Sequence, residues 1–283
     1  MSRTAVLACA VGLLTLVGVY FAAGRGQTLR VSRSLDRLPS TAQVVLVVDT
    51  DALQKSAAAE MLLGALVDES ELSDIEATCG LDPVRDLSEI LVWVRGTNRE
   101  TLESFGVQLE GRSVDAQTIA ECHASLVNAR GKSVVRIEAT AGPLIASEDQ
   151  RSAIAVADDR TVVAGSVQTV AEAMAVRRGL LPALAERESI ASLWPELRRD
   201  AALAAIIDVP DHWRAALERV APFDQAPTLL DAVETIAAAA KTGAQTTVTA
   251  RIDTANHENA TDLAERLRQW FAAPPDAVAP PWS

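Results

Sequence analysis

The first strong pattern along the chain is an apolar run between Arg3 and Arg25. Residues 4–23, TAVLACAVGLLTLVGVYFAA, contain no charged residue and no proline. An apolar helix of this length spans roughly 30 Å, which is the hydrocarbon thickness of a bilayer, and it satisfies its own backbone hydrogen bonds there. The pattern therefore predicts a transmembrane anchor over residues 1–24, which contacts the lipid bilayer through residues 4–23.

The residues that flank this run bear on its processing and its direction. The run is longer than the roughly 7–15 apolar residues of a signal peptide, so a retained anchor is favoured over cleavage after Gly24. Four arginines in the basic linker, residues 25–37, favour a cytoplasmic C-terminal part by the positive-inside rule. A lone N-terminal apolar segment nevertheless most often serves export, and long domains translocate largely regardless of charge. We expect the globular part on the periplasmic or extracellular side, with the cytoplasmic orientation as the alternative.

Beyond the linker, short β-branched or alternating runs predict strands, and amphipathic runs predict helices. In residues 38–130 we expect strands at 43–48, 89–95 and 104–110, and helices from Asp51 onward and at 115–128. Gln54 follows Asp51 at the spacing of a capping box, which makes Asp51 the expected cap of its helix. An acidic connection at 68–76 and a turn at 79–83 complete this part.

The middle of the chain, residues 131–199, is predicted to be rich in strands. These are expected at 133–139, 143–146, 152–157 and 161–164. Ser166 then caps a helix that ends before Gly179.

The last third, residues 200–272, repeats the order of the first. We expect strands at 202–209 and 244–253, a helix from Pro210 and a helix at 259–271. The segment 229–240, LLDAVETIAAAA, is ambiguous because alanine favours a helix, whereas the repeat requires a strand at 233–239. We favour the strand. The proline-rich residues 273–283 are predicted to be disordered.

Together these elements predict an α+β fold of antiparallel sheets with helices packed on one face. The globular region is expected to cover residues 38–272. Its similar halves, 38–130 and 200–272, would each read strand–helix–strand–strand–helix on either side of the strand-rich middle.

Composition narrows the classes of partner. The formal net charge is −12, and the globular part is more acidic still because four arginines lie in the linker. Without a cluster of Lys and Arg on the globular part to neutralise phosphates, nucleic-acid binding is not expected. Cys79 and Cys122 are the only cysteines outside the predicted anchor. They could pair after export, but Cys122 lies on the apolar face of its helix, so a small buried core residue is the favoured interpretation.

Three stretches carry a resemblance to other proteins: LPSTAQVVLVVDTDALQKS, CGLDPVRDLSEILVWVRG and AIAVADDRTVVAGSVQTVAEAM. They cover most of residues 38–180, and the shared residues are packing and turn residues. The chain resembles a loose group of uncharacterised bacterial membrane-anchored proteins that are classed as domains of unknown function. The resemblance implies an envelope location and a duplicated α+β fold, and it transfers no catalytic residue.

Asp49 and Asp51 have the two-carboxylate spacing that holds a divalent cation in some transferases. Such sites need more than two ligands, and a helix cap accounts for Asp51, so a cation site is not favoured. The acidic run, Asp68, Glu69, Glu71, Asp74 and Glu76, lacks the spacing of a calcium loop and is interpreted as a solvated connection.

The remaining candidates are also explained without chemistry. Cys122 and His123, with Cys79, could suggest a thiolate–imidazole pair or part of a zinc site, but adjacent helical residues point apart and zinc needs four ligands. Ser166 lacks the second glycine of a nucleophile elbow. Asn259 begins a glycosylation sequon, which is too common to carry weight. The sequence assigns no catalytic, metal or cofactor-binding residue and no cofactor.

The leading hypothesis is a single-pass, non-enzymatic protein with an exported acidic domain that binds or scaffolds an unknown envelope partner. Two alternatives stay open. One is an envelope hydrolase or transferase with a scattered site that includes Asp49, Asp51 and His123, which requires these groups to converge. The other is a small-ligand-binding module that uses a cleft between the halves.

Overall fold

A computed structural model describes residues 23–24, 34–54, 69–95, 105–198, 201–209, 233–241 and 245–272. The predicted anchor except its last two residues, the linker up to residue 33, the helix predicted from Pro210 and the tail 273–283 lie outside these residues. Within them, no helix combines the length and the apolar character that a bilayer crossing requires. The chain divides into two units: Met1–Ile207 with Ala237–Ala250, and Asp208–Ile236 with Arg251–Ser283.

The strands of the described residues form one antiparallel sheet. They are β1 (Ala23–Gly24), β2 (Ala42–Asp49), β3 (Leu87–Arg95), β4 (Phe105–Gly111), β5 (Val134–Ala139), β6 (Gly142–Ser147), β7 (Ala153–Val156), β8 (Thr161–Gly165), β9 (Leu203–Asp208), β10 (Val233–Lys241) and β11 (Gln245–Thr254). Their order in the sheet is β1-β11-β10-β9-β2-β3-β4-β8-β7-β6-β5. The predicted α+β class with a large antiparallel sheet is therefore correct.

The helices connect these strands. They are α1 (Thr50–Gln54), α2 (Glu69–Cys79), α3 (Pro83–Asp86), α4 (Ala116–Ala129), α5 (Val167–Arg177), α6 (Glu188–Ala191), α7 (Trp194–Arg198) and α8 (His257–Ala272). Two short 3₁₀ helices, Ser34–Arg37 and Leu184–Glu186, complete the described part. The acidic run predicted as a connection lies in α2 from Glu69 onward, so the prediction was wrong for these residues; Asp68 lies outside the described residues.

Two helices pack on opposite faces of the same strands, which corrects the prediction that helices cover one face. Ile154 of β7 and Val162 of β8 pack against α4. Their neighbours Ala155 and Val163 belong to a second hydrophobic core on the opposite face, which contains α5. Successive residues of a strand point to opposite faces, so a continuous apolar run such as AIAV serves two cores at once.

The segment 229–240 fitted either a helix or a strand. In its described part the structure has a strand, β10, which covers residues 233–241. Val233, Thr235, Ala237 and Ala239 are buried, and the residues between them are more exposed. The amide of Ala202 donates to the carbonyl of Ala240 at 2.8 Å, which ties β10 to the start of β9. The period-2 burial confirms the predicted strand, because tertiary pairing has outweighed the helix propensity of alanine.

The packing at the centre of the sheet depends on one close approach. Trp93 of β3 is 1% exposed and lies across Gly106 of β4, its cross-strand partner. A Cβ atom built on Gly106 would lie 2.2 Å from the indole ring. Residue 106 is therefore glycine because the indole packs directly on the backbone there and leaves no space for a side chain.

In the second unit, β10 and β11 contribute residues 233–236 and 251–254, and α8 follows. The side-chain oxygen of Asn256 accepts the amide of Asn259 at 2.9 Å and so caps α8. The helix predicted at 259–271 is confirmed with an earlier start. Asn259, the sequon asparagine, lies in its first turn.

Candidate functional site

The carboxylates Asp49 and Asp51 have different partners at the end of β2. Asp49 Oδ1 accepts the amide of Ala52 at 2.9 Å, so Asp49 is the cap of α1. Asp51 instead forms an ion pair with Arg112, with 2.5 Å between Oδ1 and Nη2. The prediction that Asp51 caps the helix was therefore wrong by two residues. The pair is not arranged as two ligands of one ion, because each carboxylate already serves a different structural contact.

Arg112 is the centre of a polar network at this end of the sheet. We define the Arg112 network as Thr50, Asp51, Arg85, Asp86, Arg112, Ser113 and Arg160. Arg112 donates to Thr50 Oγ1 at 3.0 Å and to the carbonyl of Arg85 at 2.8 Å. Thr50 in turn donates its hydroxyl to the carbonyl of Leu87. One guanidinium thus connects the start of α1, the end of α3 and the residue that follows β4.

Asp86 is the buried anion of the Arg112 network. Its carboxylate accepts from Arg85 Nε at 3.2 Å, from the Asp82 amide at 2.9 Å and from Ser113 Oγ at 3.0 Å. The hydrogen bond from Arg85, followed by those from Asp82 and Ser113, lowers the pKa of Asp86 below its ordinary value. Asp86 therefore stays ionised at neutral pH, where a general acid would need a raised pKa.

Arg160 connects the turn between β7 and β8 to the rest of the Arg112 network. Its guanidinium donates to the carbonyl of Gly111 at 2.8 Å and to that of Arg112 at 2.9 Å. Its own carbonyl accepts the amide of Gly111 at 2.8 Å. The turn between β7 and β8 is thereby fixed to the end of β4. Apart from the local contacts of Asp86 with Arg85 and Asp82, the contacts of this network join separate chain segments and hold them together.

A second charged group lies on the α5 side of the sheet. Arg177 donates to the side-chain oxygen of the buried Gln108 at 2.6 Å and lies 3.6 Å from Asp158. Burial, together with repulsion from Arg37, lowers the pKa of Arg177 to about 10. The guanidinium therefore remains charged at neutral pH. Its function here is to anchor the C-terminal end of α5 to β4.

His123 forms no side-chain hydrogen bond with any other predicted site residue in the described part of the chain. Both ring nitrogens are buried, and neither has a hydrogen-bond partner within the described structure. Burial lowers the pKa of His123 below its ordinary value of 6.5. A histidine that acts as a base is normally oriented by a partner on its second nitrogen. The geometry thus does not join His123 to Asp49 or Asp51 as the scattered site would require.

Cys79 and Cys122 form a disulfide, which corrects the interpretation of Cys122 as a free core residue. Their Cα atoms lie 5.2 Å apart, within the usual range for a disulfide. The bond joins the last residue of α2 to the middle of α4. Two cysteines in separate segments give no indication of pairing until the fold places them together, so spacing could not have identified it.

The two ends of α5 were predicted from Ser166 and Gly179. Ser166 Oγ accepts the amide of Thr169 at 3.2 Å, which confirms it as the cap of α5. Leu180 donates to Ala175 O and Gly179 to Val176 O, so a Schellman motif ends the helix at Gly179. Among the described residues, no group of three or more His, Cys, Asp or Glu side chains could hold a metal ion.

No family model matches the chain, and no curated protein is significantly similar to it. Among solved structures, the chain is similar to crystal form III of TP0453, with a TM-score of 0.48 and 12% identity over 82% of this chain and 85% of that one. Crystal form I of TP0453 gives a TM-score of 0.48 and 11% identity over 83% and 85%. Function is therefore inferred from the geometry of the chain's own residues.

Proposed function

We propose that the chain is a single-pass membrane-anchored protein whose acidic α+β domain lies outside the cytoplasm, where it binds or scaffolds an envelope partner without catalysing a reaction. The anchor is the apolar run at residues 4–23. The observation that carries the proposal is the disulfide between Cys79 and Cys122.

The disulfide supports export because of where such bonds persist. Disulfides are stable in secreted and periplasmic proteins and rare in the reducing cytoplasm. This chain has a single pair of cysteines outside the anchor, and the fold joins them. The arginines of the linker argue for the opposite orientation, but their effect weakens for a long translocated domain. The chemistry of the cysteines therefore outweighs the charge of the linker.

Binding is favoured over catalysis by the state of the polar groups. The charges of the Arg112 network are engaged in contacts that hold loops together, and Asp86 has a lowered pKa. By contrast, two adjacent leucines are presented at a turn after α5. Leu180 and Leu181 are 56% and 43% exposed. Neighbouring exposed leucines are typical of a contact surface rather than of a reaction site.

We propose that residues 38–130 and 200–272 are duplicated units, as in the loose group of membrane-anchored proteins that the sequence resembles. In support, β9, β10 and β11 extend from one side of β2 in the same order in which β2, β3 and β4 extend from β9. Val44 pairs with Ile207 and Val48 with Leu203 at the junction of the two series.

Orientation can be tested with a C-terminal phosphatase reporter that is active only when its own disulfides form. We expect activity in whole cells and, in parallel, protection of Cys79 and Cys122 from an alkylating reagent until reductant is added. A Cys9→Ala background removes the remaining thiol of the chain. An inactive reporter together with freely alkylated Cys79 would overturn the proposed export.

Binding can be tested separately by a photo-crosslinking amino acid at Leu180 in living cells. A matched position is Asp159, which is also exposed and lies in a different turn. We expect one discrete adduct from position 180 and none from position 159. Equal labelling at both positions, or none at either, would argue against a binding surface at Leu180 and Leu181.

A further inference from the structure

Strand β5 ends the sheet, and its outer edge has no partner among the described strands. It is also well exposed. Val135 is 38% exposed, and the side chains of Arg136 and Glu138 are each 70% exposed. An unpaired edge offers a row of backbone donors and acceptors to another strand.

The pairing of β5 with β6 determines which backbone groups face outward. Ser133 accepts the amide of Glu148, and the register continues so that Val135 lies opposite Ala146 and Ile137 opposite Leu144. In an antiparallel pair, alternate residues exchange hydrogen bonds with the neighbouring strand. The odd-numbered residues of β5 therefore bond to β6, and the backbone groups of Arg136 and Glu138 point away from the sheet. Pro143, which has no N–H, lies opposite Glu138 at one of the positions that need no hydrogen bond.

The charges on this edge complement themselves. Arg136 and Glu138 lie on one face and form an ion pair with 2.8 Å between Nε and Oε1. In antiparallel pairing about a two-fold axis through Ile137, Arg136 of each copy lies opposite Glu138 of the other copy. An axis through Arg136 or through Glu138 would place like charges opposite each other, which is unfavourable. We propose that β5 pairs with β5 of a second copy of this chain about a two-fold axis at Ile137, which joins two sheets into one.

This register also suits the backbone and the opposite face. Arg136 of one copy and Glu138 of the other would exchange two hydrogen bonds, because the free groups of both residues point outward. On the other face Ile137 meets Ile137, and Val135 meets Ala139. Ile137 and Ala139 already pack against the core that contains α5. The apolar layer would therefore continue across the junction and cover Val135.

Charged residues on a sheet edge usually prevent pairing with other chains. Here the opposite charges of Arg136 and Glu138 are two residues apart. The edge therefore repels a copy paired about Arg136 or Glu138 and attracts one paired about Ile137. A chain of this kind pairs with itself rather than with any exposed strand. Isologous contacts of this type are the commonest form of protein assembly.

Sedimentation of the full-length chain in detergent tests the proposal. Arg136→Glu and Glu138→Arg each place like charges opposite each other twice, so each should raise the dimer dissociation constant about tenfold, which corresponds to roughly 1.4 kcal/mol. The double swap Arg136→Glu/Glu138→Arg restores opposite charges and should recover the dimer. The matched control reverses the exposed pair Lys132 and Asp149, which lies outside β5.

Recovery in the double swap identifies the register, since a general effect of charge would not be reversed. A wild-type chain that stays monomeric at its solubility limit would overturn the proposal. So would single variants that dimerise as well as the wild type, or a double swap that fails to recover. Circular dichroism checks that each variant is folded, as expected for exposed positions.

A cysteine at the axis provides a second test. Residues opposite each other at a non-hydrogen-bonded pair have Cα atoms about 4.5 Å apart, which permits a disulfide. In a Cys9→Ala background, Ile137→Cys should therefore crosslink two copies on mild oxidation. Val135→Cys should not, because its partner across the axis is Ala139. Equal crosslinking at both positions would overturn the axis.

Discussion

The covalent bond between Cys79 and Cys122 joins the end of α2 to the middle of α4. Among the described side chains of α2, residues 73–79, none is buried. Helices in proteins are usually held by the packing of an apolar face. Here the disulfide substitutes for that face, so α2 and the segment before α3 depend on the oxidation state of the chain.

Reduction should therefore act first on α2. We expect the free energy of unfolding to fall by about 2–4 kcal/mol, since the bond closes a long loop in the unfolded chain. Hydrogen exchange should also increase in α2 before it increases in the sheet. Urea denaturation with and without reductant measures the first effect, and mass-resolved exchange measures the second. A Cys79→Ala/Cys122→Ala variant should be insensitive to reductant, and a reduced chain with unchanged exchange in α2 would contradict the expectation.

Asp49, rather than Asp51, should be the carboxylate on which α1 depends. Asp49→Ala removes the acceptor of the Ala52 amide and should cost about 1 kcal/mol of stability. Asp51→Ala breaks an ion pair whose carboxylate is 46% exposed, so we expect a loss of no more than about 0.5 kcal/mol. Thermal or urea denaturation compares the two. Asp49→Asn keeps an acceptor oxygen and should be close to the wild type, while equal losses for both alanine variants would contradict the assignment.

Gly106 should tolerate no side chain while Trp93 is present. Gly106→Ala places a methyl group within 2.2 Å of the indole, so we expect a loss of about 1–3 kcal/mol or a displaced tryptophan. Trp93→Leu loses packing on its own, but it frees the space above Gly106. The double variant should therefore be less destabilised than the sum of the two single changes. Denaturation of the four proteins in the cycle measures the coupling, and strict additivity would contradict the contact.

These positions also indicate how far the sequence could predict the molecule. Strands such as β2, β3 and β8 could be located because burial on one or both faces leaves a period-2 or continuous apolar pattern. Helix α2 was missed because it is polar and held by a covalent bond, so it carries little amphipathic signal. The cap was assigned to Asp51 because it fits a capping box with Gln54, whereas the helix begins at Thr50, two residues earlier than a cap at Asp51 would place it. The sequence could not show that α4 and α5 pack on opposite faces of the sheet. Each helix has one apolar face, which could pack on either side of the sheet.

His123 should be dispensable, and its removal should stabilise the domain. Both imidazole nitrogens are buried without a partner, a cost that an apolar side chain would not incur. The lowered pKa means that the unfolded chain binds a proton more readily than the folded one. Stability from this group is therefore fully present above pH 6.5 and decreases as the pH falls below that value. His123→Leu should raise the free energy of unfolding by about 1 kcal/mol and flatten its decline below pH 6.5. Denaturation at a series of pH values measures both effects, with the exposed His257→Gln as control. A destabilised His123→Leu variant would mean that the imidazole has a stabilising partner, and an unchanged pH dependence would mean that another group titrates in this range.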